Sequence, residues 1–397
     1  MNRAHLAVFA VAFLVTVVLT PLVRRLAVRV GAVVKPDERR VHTRATATLG
    51  GAAMLAGFLA AMAVAWQSGQ FDAVFDGSTQ PLGVVIAAVI IFLVGLIDDF
   101  REVSAPAKIA GMVLAGSILS VAGVSILFFR VPFADLVVLS PDLSALLTVL
   151  WVVGMANAVN LIDGLDGLAA GLVAIAAGTF FLYGERLGDV GVIEPGNLGP
   201  LIALITAGIC LGFLPHNFHP AKIFMGDGGA LLLGLLMAAS TISVGGSSSE
   251  PFSGQVYFFF APLFIPLFIL GVPILDTLFA IIRRATKRAG VASADKEHLH
   301  HRLMRLGHGQ RRSVLILWGW TLALSVFVLY PTYTGRGDAL VPLGVVVLGF
   351  GLYVFLGAGF QRAAGLNPAG PAADGDTSPG APIDAVAETA VEAEQDT

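Results

Sequence analysis

Long apolar runs are the feature that most constrains how this chain can fold. We identify eleven of them, each close to the roughly 20 residues that a helix needs to cross a hydrocarbon core of about 30 Å. They cover residues 4–23, 49–66, 81–97, 107–129, 143–159, 165–183, 198–215, 229–245, 256–282, 313–330 and 340–358. Only 13% of the 397 residues are charged. The sequence therefore predicts an all-α, polytopic membrane helix bundle of about eleven transmembrane helices.

Lysine and arginine are distributed unevenly between alternate loops. If the N-terminus lies outside, the loops after spans 1, 3, 5, 7 and 9 and the C-terminal tail hold 20 basic residues, seven of them in 24–48 and nine in 283–312. The opposite side holds Arg3, Arg130, Arg186 and Arg336. Because cytoplasmic loops carry the excess of Lys and Arg, we expect a periplasmic N-terminus and a cytoplasmic C-terminus.

The chain divides into two parts by composition. Residues 1–360 are predicted to form the membrane domain, and residues 361–397, with seven acids and one base, a disordered acidic tail. The single cysteine, Cys210, lies in a predicted span, so neither a disulfide nor a cysteine metal site is available.

Unusual polar residues collect in the five loops that this topology assigns to the cytoplasmic side. These loops read "KPDERRVHTRATATLGG", "GLIDDFREVSAPAK", "NAVNLIDGLDG", "PHNFHPAKIFMGDGG" and "DKEHLHHRLMRLGHG". The loops of the other side carry nothing comparable. We expect the five to form one site at one face of the bundle.

Paired acids are the first candidates for chemistry. Asp98 and Asp99 follow an apolar stretch, where they form either a solvated helix end or a magnesium site or general base, since like charges raise the proton affinity of a carboxylate. Asp163 and Asp166 have a spacing that would put both on one helical face, with Asn160 three residues earlier. A helix cap would explain one of these acids but not both.

Two further groups remain open between a structural and a functional interpretation. Asp227 lies between glycines at the start of a span, where it suits either a helix N-cap or a hard-cation ligand. His298, His300, His301 and Arg302 suit phosphate oxygens, with a zinc site or an ordinary basic loop as alternatives. Carboxylates, a His/Arg cluster and a membrane-surface location together fit phosphoryl transfer without a P-loop.

Taken together, the motifs resemble those of the polyprenyl-phosphate N-acetylhexosamine-1-phosphate transferases. The similarity covers about residues 30–330 and rests on five motifs in order: "PDERRVH…LGG", "GLIDDF", "NAVNLIDGLDGLAAG", "FMGDGGALLLG" and "HLHHRL". One departure is the segment "HTRATATLGG", where Ala45 and Ala47 stand in place of the prolines usual in the family.

The resemblance implies an activity, a cofactor and a location. The sugar-1-phosphate of a UDP-sugar would be transferred to a polyprenyl phosphate (undecaprenyl or decaprenyl) with release of UMP, as the first membrane step of cell-envelope polysaccharide synthesis. Mg²⁺, or Mn²⁺ in its place, would be required. The site would face the cytoplasm from a bacterial inner membrane. A homodimer is also suggested, and no nucleic acid is involved.

The resemblance also implies roles for individual residues. Asp227 would be a direct Mg²⁺ ligand, and Asp98 or Asp99 the base or positioning group for the lipid phosphate, with Asp98 also near the metal. Lys108, one helical step beyond the acid pair, would neutralise that phosphate. Asp166 would be a further catalytic residue, in the environment of nucleotide and metal. The remaining contacts to nucleotide, diphosphate and sugar are expected from Asn160, Asp163, Asn217, Phe224, His42, Arg44, His298, His300, His301 and Arg302.

Three alternatives stay open. The pattern "HLHHRLMRLGHGQRRSVLILW" and the stretch "PDERRVH" favour the GlcNAc-1-phosphate branch over phospho-N-acetylmuramoyl-pentapeptide transferase, which is the alternative within the family. A secondary transporter would also contain membrane carboxylates, but near the midplane and not at one face. A non-catalytic scaffold would not need both acid pairs and the glycine-flanked Asp227.

Overall fold

The computed structural model describes residues 2–34, 45–101, 103–130, 136–245, 309–334 and 344. Within these residues the helices are α1 (Arg3–Arg29), α2 (Gly50–Gln67), α3 (Asp72–Phe75), α4 (Gln80–Arg101), α5 (Ala105–Val121), α6 (Pro141–Ile162), α7 (Leu168–Asp189), α8 (Leu198–Asn217), α9 (Gly226–Gly245) and α10 (Gln310–Thr334). Two short antiparallel pairs join β1 (Val33–Val34) to β2 (Thr46–Ala47) and β3 (Phe128–Arg130) to β4 (Leu136–Val138).

The helical prediction is confirmed, whereas the number of spans stays a prediction. Seven described helices are long and apolar enough to cross a membrane: α1, α2, α4, α6, α7, α8 and α9. Helix α5 is apolar but has only 17 residues. The predicted run 256–282 and the tail 361–397 lie outside the described residues, as does the run 340–358 apart from residue 344.

Two predicted boundaries are wrong for local reasons. The run 107–129 is helical only to Val121, because Gly123 adopts a left-handed φ of 91° and the chain then enters β3. The run 165–183 becomes helical only at Leu168, since a turn follows α6 and Gly167 has a φ of 76°.

Helix α9 is the centre of the bundle and is buried from Gly228 to its end at Gly245. It packs against α2, α4, α6, α7 and α8. The approach is closest where glycines face glycines: Gly51 lies on the backbone of Gly229, and a methyl group added at Gly95 would lie 2.5 Å from backbone atoms of Asp227 and Gly228. The glycines therefore let three helices meet at the first turn of α9.

The ends of these helices define two ends of the bundle. Near Asp227, three helices end (α4, α6 and α8) and three begin (α5, α7 and α9). The polar motifs of the described loops therefore lie at the same end of the bundle. A cavity of about 870 Å³ lies at the other end of α9, around Ser243. It is lined partly by His5, Glu185 and Asn197 and contains none of the predicted site residues.

Candidate active site

A lysine joins two of the predicted acids at the centre of the site. Lys108 Nζ lies 2.7 Å from Asp98 Oδ2 and also contacts Asp227 Oδ2. The sequence suggested that Lys108 follows the acid pair on the same helix. This is wrong, because α4 ends at Arg101 and α5 begins at Ala105. The short break between the two helices folds Lys108 back over the end of α4.

The amide of Asn160, in the last turn of α6, completes this arrangement. Its orientation follows from its neighbours: Nδ2 donates to Asp227 Oδ1 at 3.1 Å, and Oδ1 accepts from Lys108 Nζ at 3.2 Å. Asp98 Oδ1 accepts from the backbone N–H of Val103 at 2.6 Å. We call Asp98, Lys108, Asn160 and Asp227 the acid–lysine cluster; it joins four helices.

Asp99 has a different environment from its neighbour Asp98. Its two carboxylate oxygens accept hydrogen bonds from the backbone N–H groups of Asp227, at 2.9 Å, and Gly228, at 3.3 Å. Asp99 thus caps the N-terminus of α9 from another helix, where a negative charge is also favoured by the helix dipole. This contact fixes the position from which the Asp227 side chain extends.

Asp163 follows the last residue of α6 and is partly buried. Burial, reinforced by the negative charges of Asp227, Asp99 and Asp166, raises the pKa of Asp163 to about 8. The carboxylates at this end of the bundle therefore carry more negative charge than their surroundings neutralise. Such an excess is typical of a site that receives a cation.

Asp163 and Asp166 do not share a helical face, which corrects the expectation from their spacing. Residues 163–167 form a turn instead of a helix. Asp166 Oδ2 lies 2.7 Å from His219 Nδ1 and accepts the backbone N–H of Ala221 at 3.0 Å. Asp166 therefore holds the loop between α8 and α9 beside the turn.

Asn217 and Phe224 border that same loop. Asn217, buried at the end of α8, accepts from the N–H of Gly167 and donates to the carbonyl of Ile223, both at 3.0 Å. The N–H of Phe224 donates to the carbonyl of Ala47, and the carbonyl of Phe224 accepts from Gly50. These contacts hold the start of α2 and the turn after α6 against the 218–225 loop.

Six predicted site residues lie outside the described residues: His42, Arg44, His298, His300, His301 and Arg302. The described residues of the predicted site all lie at the same end of the bundle. His219 was not singled out from the sequence, although "NFHPAK" places a histidine two residues after Asn217. Only the fold brings it to Asp166, 53 residues earlier.

The donor atoms suit a hard divalent cation. Mg²⁺ takes oxygen ligands, usually one or two carboxylates completed by phosphate and water, and the cluster offers carboxylate and amide oxygens. Within the described ranges, no three His, Cys, Asp or Glu side chains are grouped closely enough to hold a metal ion without other ligands. The residues therefore fit Mg²⁺ that is shared with a substrate phosphate.

Removing the charge of Asp163 should stabilise the protein when no divalent cation is present. Because the pKa of Asp163 is raised by folding, its ionisation costs stability increasingly from about pH 4 to about pH 8. We expect Asp163→Asn in EDTA at pH 8 to gain about 1 kcal/mol or more, roughly 2 to 4 °C in melting temperature. The gain should shrink towards pH 4, and a gain independent of pH would contradict this account.

Comparison with known proteins agrees with these observations. Residues 81–245 match the model of the glycosyl transferase family 4. The chain is 40% identical over 352 residues to decaprenyl-phosphate N-acetylglucosaminephosphotransferase of Mycobacterium tuberculosis, covering 85% of each protein. It is 37% identical over 323 residues to a probable undecaprenyl-phosphate N-acetylglucosaminyl 1-phosphate transferase of Bacillus subtilis, covering 81% of this chain and 84% of that one.

A relative from the other branch is also similar. Phospho-N-acetylmuramoyl-pentapeptide-transferase of Desulforudis audaxviator is 36% identical over 344 residues, covering 80% of this chain and 95% of that protein. The apolar helices and the cluster at one end of them define a multi-pass membrane enzyme of the sugar-phosphate transferase kind. The chain belongs to the glycosyl transferase family 4, as its motifs predicted.

Proposed function

We propose that this protein transfers N-acetylglucosamine-1-phosphate from UDP-GlcNAc to a polyprenyl phosphate and releases UMP. The observation that carries the proposal is the 40% identity, over 85% of both chains, to a protein named decaprenyl-phosphate N-acetylglucosaminephosphotransferase. The acid–lysine cluster supports it, because phosphoryl transfer depends on positioned charges that bind phosphate and cation. Undecaprenyl or decaprenyl phosphate would be the acceptor.

In the reaction, an oxygen of the lipid phosphate attacks the β-phosphorus of the UDP-sugar. The bond from that phosphorus to the bridging oxygen breaks, and its electrons leave with UMP. A phosphate monoester has a second pKa of about 6, so the lipid phosphate is largely a dianion at neutral pH. Asp98 therefore acts mainly by positioning the acceptor, and it would accept a proton only from the minor fraction of lipid phosphate that is still a monoanion.

Of the acid pair, Asp98 is the better candidate for this role. Both oxygens of Asp99 accept backbone hydrogen bonds from α9, whereas Asp98 faces Lys108 in the cluster. The Lys108 ammonium is the nearby group that can neutralise a phosphate oxygen. Asn160 holds Asp227 and Lys108 at fixed distances from each other.

Asp227 and Asp98 would hold Mg²⁺ in the loaded enzyme. The cation would neutralise charge on the diphosphate while the bond from the β-phosphorus to the bridging oxygen breaks. Asp163 and Asp166 would complete the environment of metal and nucleotide. Phe224 would stack on uracil, and His42, Arg44, His298, His300, His301 and Arg302 would contact the phosphates and sugar.

The membrane arrangement is part of the same proposal. The charge of the loops supports a periplasmic N-terminus and an active site on the cytoplasmic face of the bacterial inner membrane, and the apolar runs support about eleven spans. Cytoplasmic UDP-sugars would then reach the acid–lysine cluster directly. Residues 361–397 would be a disordered acidic tail, and two chains would associate as a homodimer.

Release of UMP tests the proposal and separates the two branches. Purified protein with Mg²⁺ and polyprenyl phosphate should release UMP from UDP-GlcNAc and not from UDP-MurNAc-pentapeptide, and omission of the lipid should abolish release. UMP from the pentapeptide donor alone would assign the protein to the muramoyl branch. No UMP from either donor, with folded protein, would contradict the assigned reaction.

A further inference from the structure

The two carboxylates of the acid–lysine cluster share one ammonium as their counter-ion. The Lys108 ammonium has three N–H donors, and three acceptors surround it: Asp98 Oδ2 at 2.7 Å, Asn160 Oδ1 at 3.2 Å and Asp227 Oδ2. Only 16% of the Lys108 side chain is exposed, and 14% of that of Asp98. The ammonium thus lies in the position between two carboxylates that a metal ion would favour.

Each oxygen of the two carboxylates already has a hydrogen-bond partner while Lys108 stays there. The second oxygen of Asp98 accepts from the N–H of Val103, and the second oxygen of Asp227 accepts from Asn160 Nδ2. A divalent cation that binds either oxygen shared with Lys108 would come close to the ammonium in a partly buried site. Repulsion between the two cations is only weakly screened there, so both cannot occupy the position.

We propose that Lys108 is a built-in counter-ion that occupies the cation position between Asp98 and Asp227 until a divalent cation displaces it. The inference rests on the proposed function, because it concerns the same site and its metal. It adds to that function a separate position of the Lys108 ammonium before and after the metal binds. Before loading, Lys108 holds α5 against the ends of α4 and α9; after loading, its ammonium is released towards the side where phosphate binds.

Lys108 has a favourable position for such an exchange. It lies in the first turn of α5, which starts with Ala105 and Pro106 after the break that follows α4. Its aliphatic stem carries the charge at the end of four rotatable bonds, so the ammonium can move without movement of the helix. Metal binding and phosphate binding would then be coupled, because the displaced charge adds to the attraction for a phosphate.

Mn²⁺ binding without any substrate tests the proposal. The full-length protein, purified in detergent, is titrated with Mn²⁺, and free Mn²⁺ is measured by electron paramagnetic resonance. Lys108→Met, which removes the charge and keeps the stem, should bind Mn²⁺ about tenfold or more tightly than the wild type. Lys108→Arg should not bind more tightly, because it retains the competing charge.

A matched control and a second measurement separate this effect from a general loss of charge. Lys222→Met removes an exposed lysine from the loop before α9 and should leave Mn²⁺ affinity within about twofold of the wild type. In EDTA, Lys108→Met should melt lower than the wild type, and saturating Mg²⁺ should restore most of the difference. A merely structural lysine would give the lower melting temperature without the tighter Mn²⁺ binding.

Each outcome decides between the two proposals. If the wild type binds Mn²⁺ and releases UMP but Lys108→Met has unchanged or weaker Mn²⁺ affinity, the counter-ion inference alone is wrong. If the wild type neither binds Mn²⁺ nor releases UMP, the proposed function itself fails, and the inference with it. Should Lys108→Met not fold even with Mn²⁺, Lys108→Gln, which keeps hydrogen-bond donors without the charge, decides by the same affinity comparison.

Discussion

Asp227→Asn is expected to lower the rate of UMP release by at least about 10³-fold while the protein remains folded. The carboxylate of Asp227 contacts both Lys108 and Asn160 and extends from the capped first turn of α9. An amide has nearly the same shape but no charge, so it would keep one of the two acceptor contacts in the cluster and lose the attraction for a cation. Losing one positioned charged group typically costs 10²- to 10³-fold or more in rate.

The measurements for this variant are kcat for UMP release, Mn²⁺ affinity and melting temperature in the same detergent. Asp72→Asn is the matched control, because Asp72 is also an acid in the first turn of a helix but is exposed in α3, outside the cluster. It should leave all three quantities unchanged. If Asp227→Asn kept more than about a tenth of the wild-type rate, Asp227 would not be the metal ligand.

The helices were predictable because a single physical requirement governs them. A stretch of about 20 apolar residues in a membrane must satisfy its backbone internally, and a helix does so. The segments at α6, α8 and α9 accordingly agree with the sequence to within a few residues. The end of α5 does not, because the apolar run continues through Gly123 into a β-strand, and apolar character alone does not distinguish the two.

The composition of the site was also predictable, but the partners of its residues were not. Sequence spacing could bring Asp98, Asp163 and Asp227 to one face, since each follows or starts an apolar run. It could not separate Asp98 from Asp99, because the difference arises from α9, whose first amides lie against Asp99 and are 128 and 129 residues away in the sequence. The contact of His219 with Asp166 has the same origin in tertiary structure.

Glycines in the motifs carry information of another kind. The sequence marks them as positions where backbones approach closely, and the structure gives each a partner: Gly51 meets Gly229, and Gly95 meets Asp227 and Gly228. Two observations explain why residue 226 is a glycine: its φ is 70°, and a Cβ there would overlap with Asp99. The conformation of α9's first turn is therefore determined by backbone contacts from α2 and α4 as much as by its own sequence.

Gly95→Ala should consequently disrupt the site although residue 95 has no functional group. A methyl group at this position would lie 2.5 Å from the carbonyl carbon of Asp227 and from the N and Cα atoms of Gly228. These are backbone atoms, so α4 and α9 must move apart, and such overpacking costs about 1 to 3 kcal/mol. The same movement lengthens the hydrogen bonds that the first two amides of α9 donate to Asp99. Because a displacement of about 1 Å can cost 10²-fold in rate, we expect kcat for UMP release to fall by about that factor.

Gly154→Ala is the matched control: Gly154 lies in α6, exposed, with no atom within 4 Å of an added methyl group. It should gain up to about 1 kcal/mol from its helix propensity and keep its rate. The two alanine variants should thus differ in the sign of the melting shift as well as in rate. Equal rates and equal melting temperatures would show that the contact between α4 and α9 does not position Asp227.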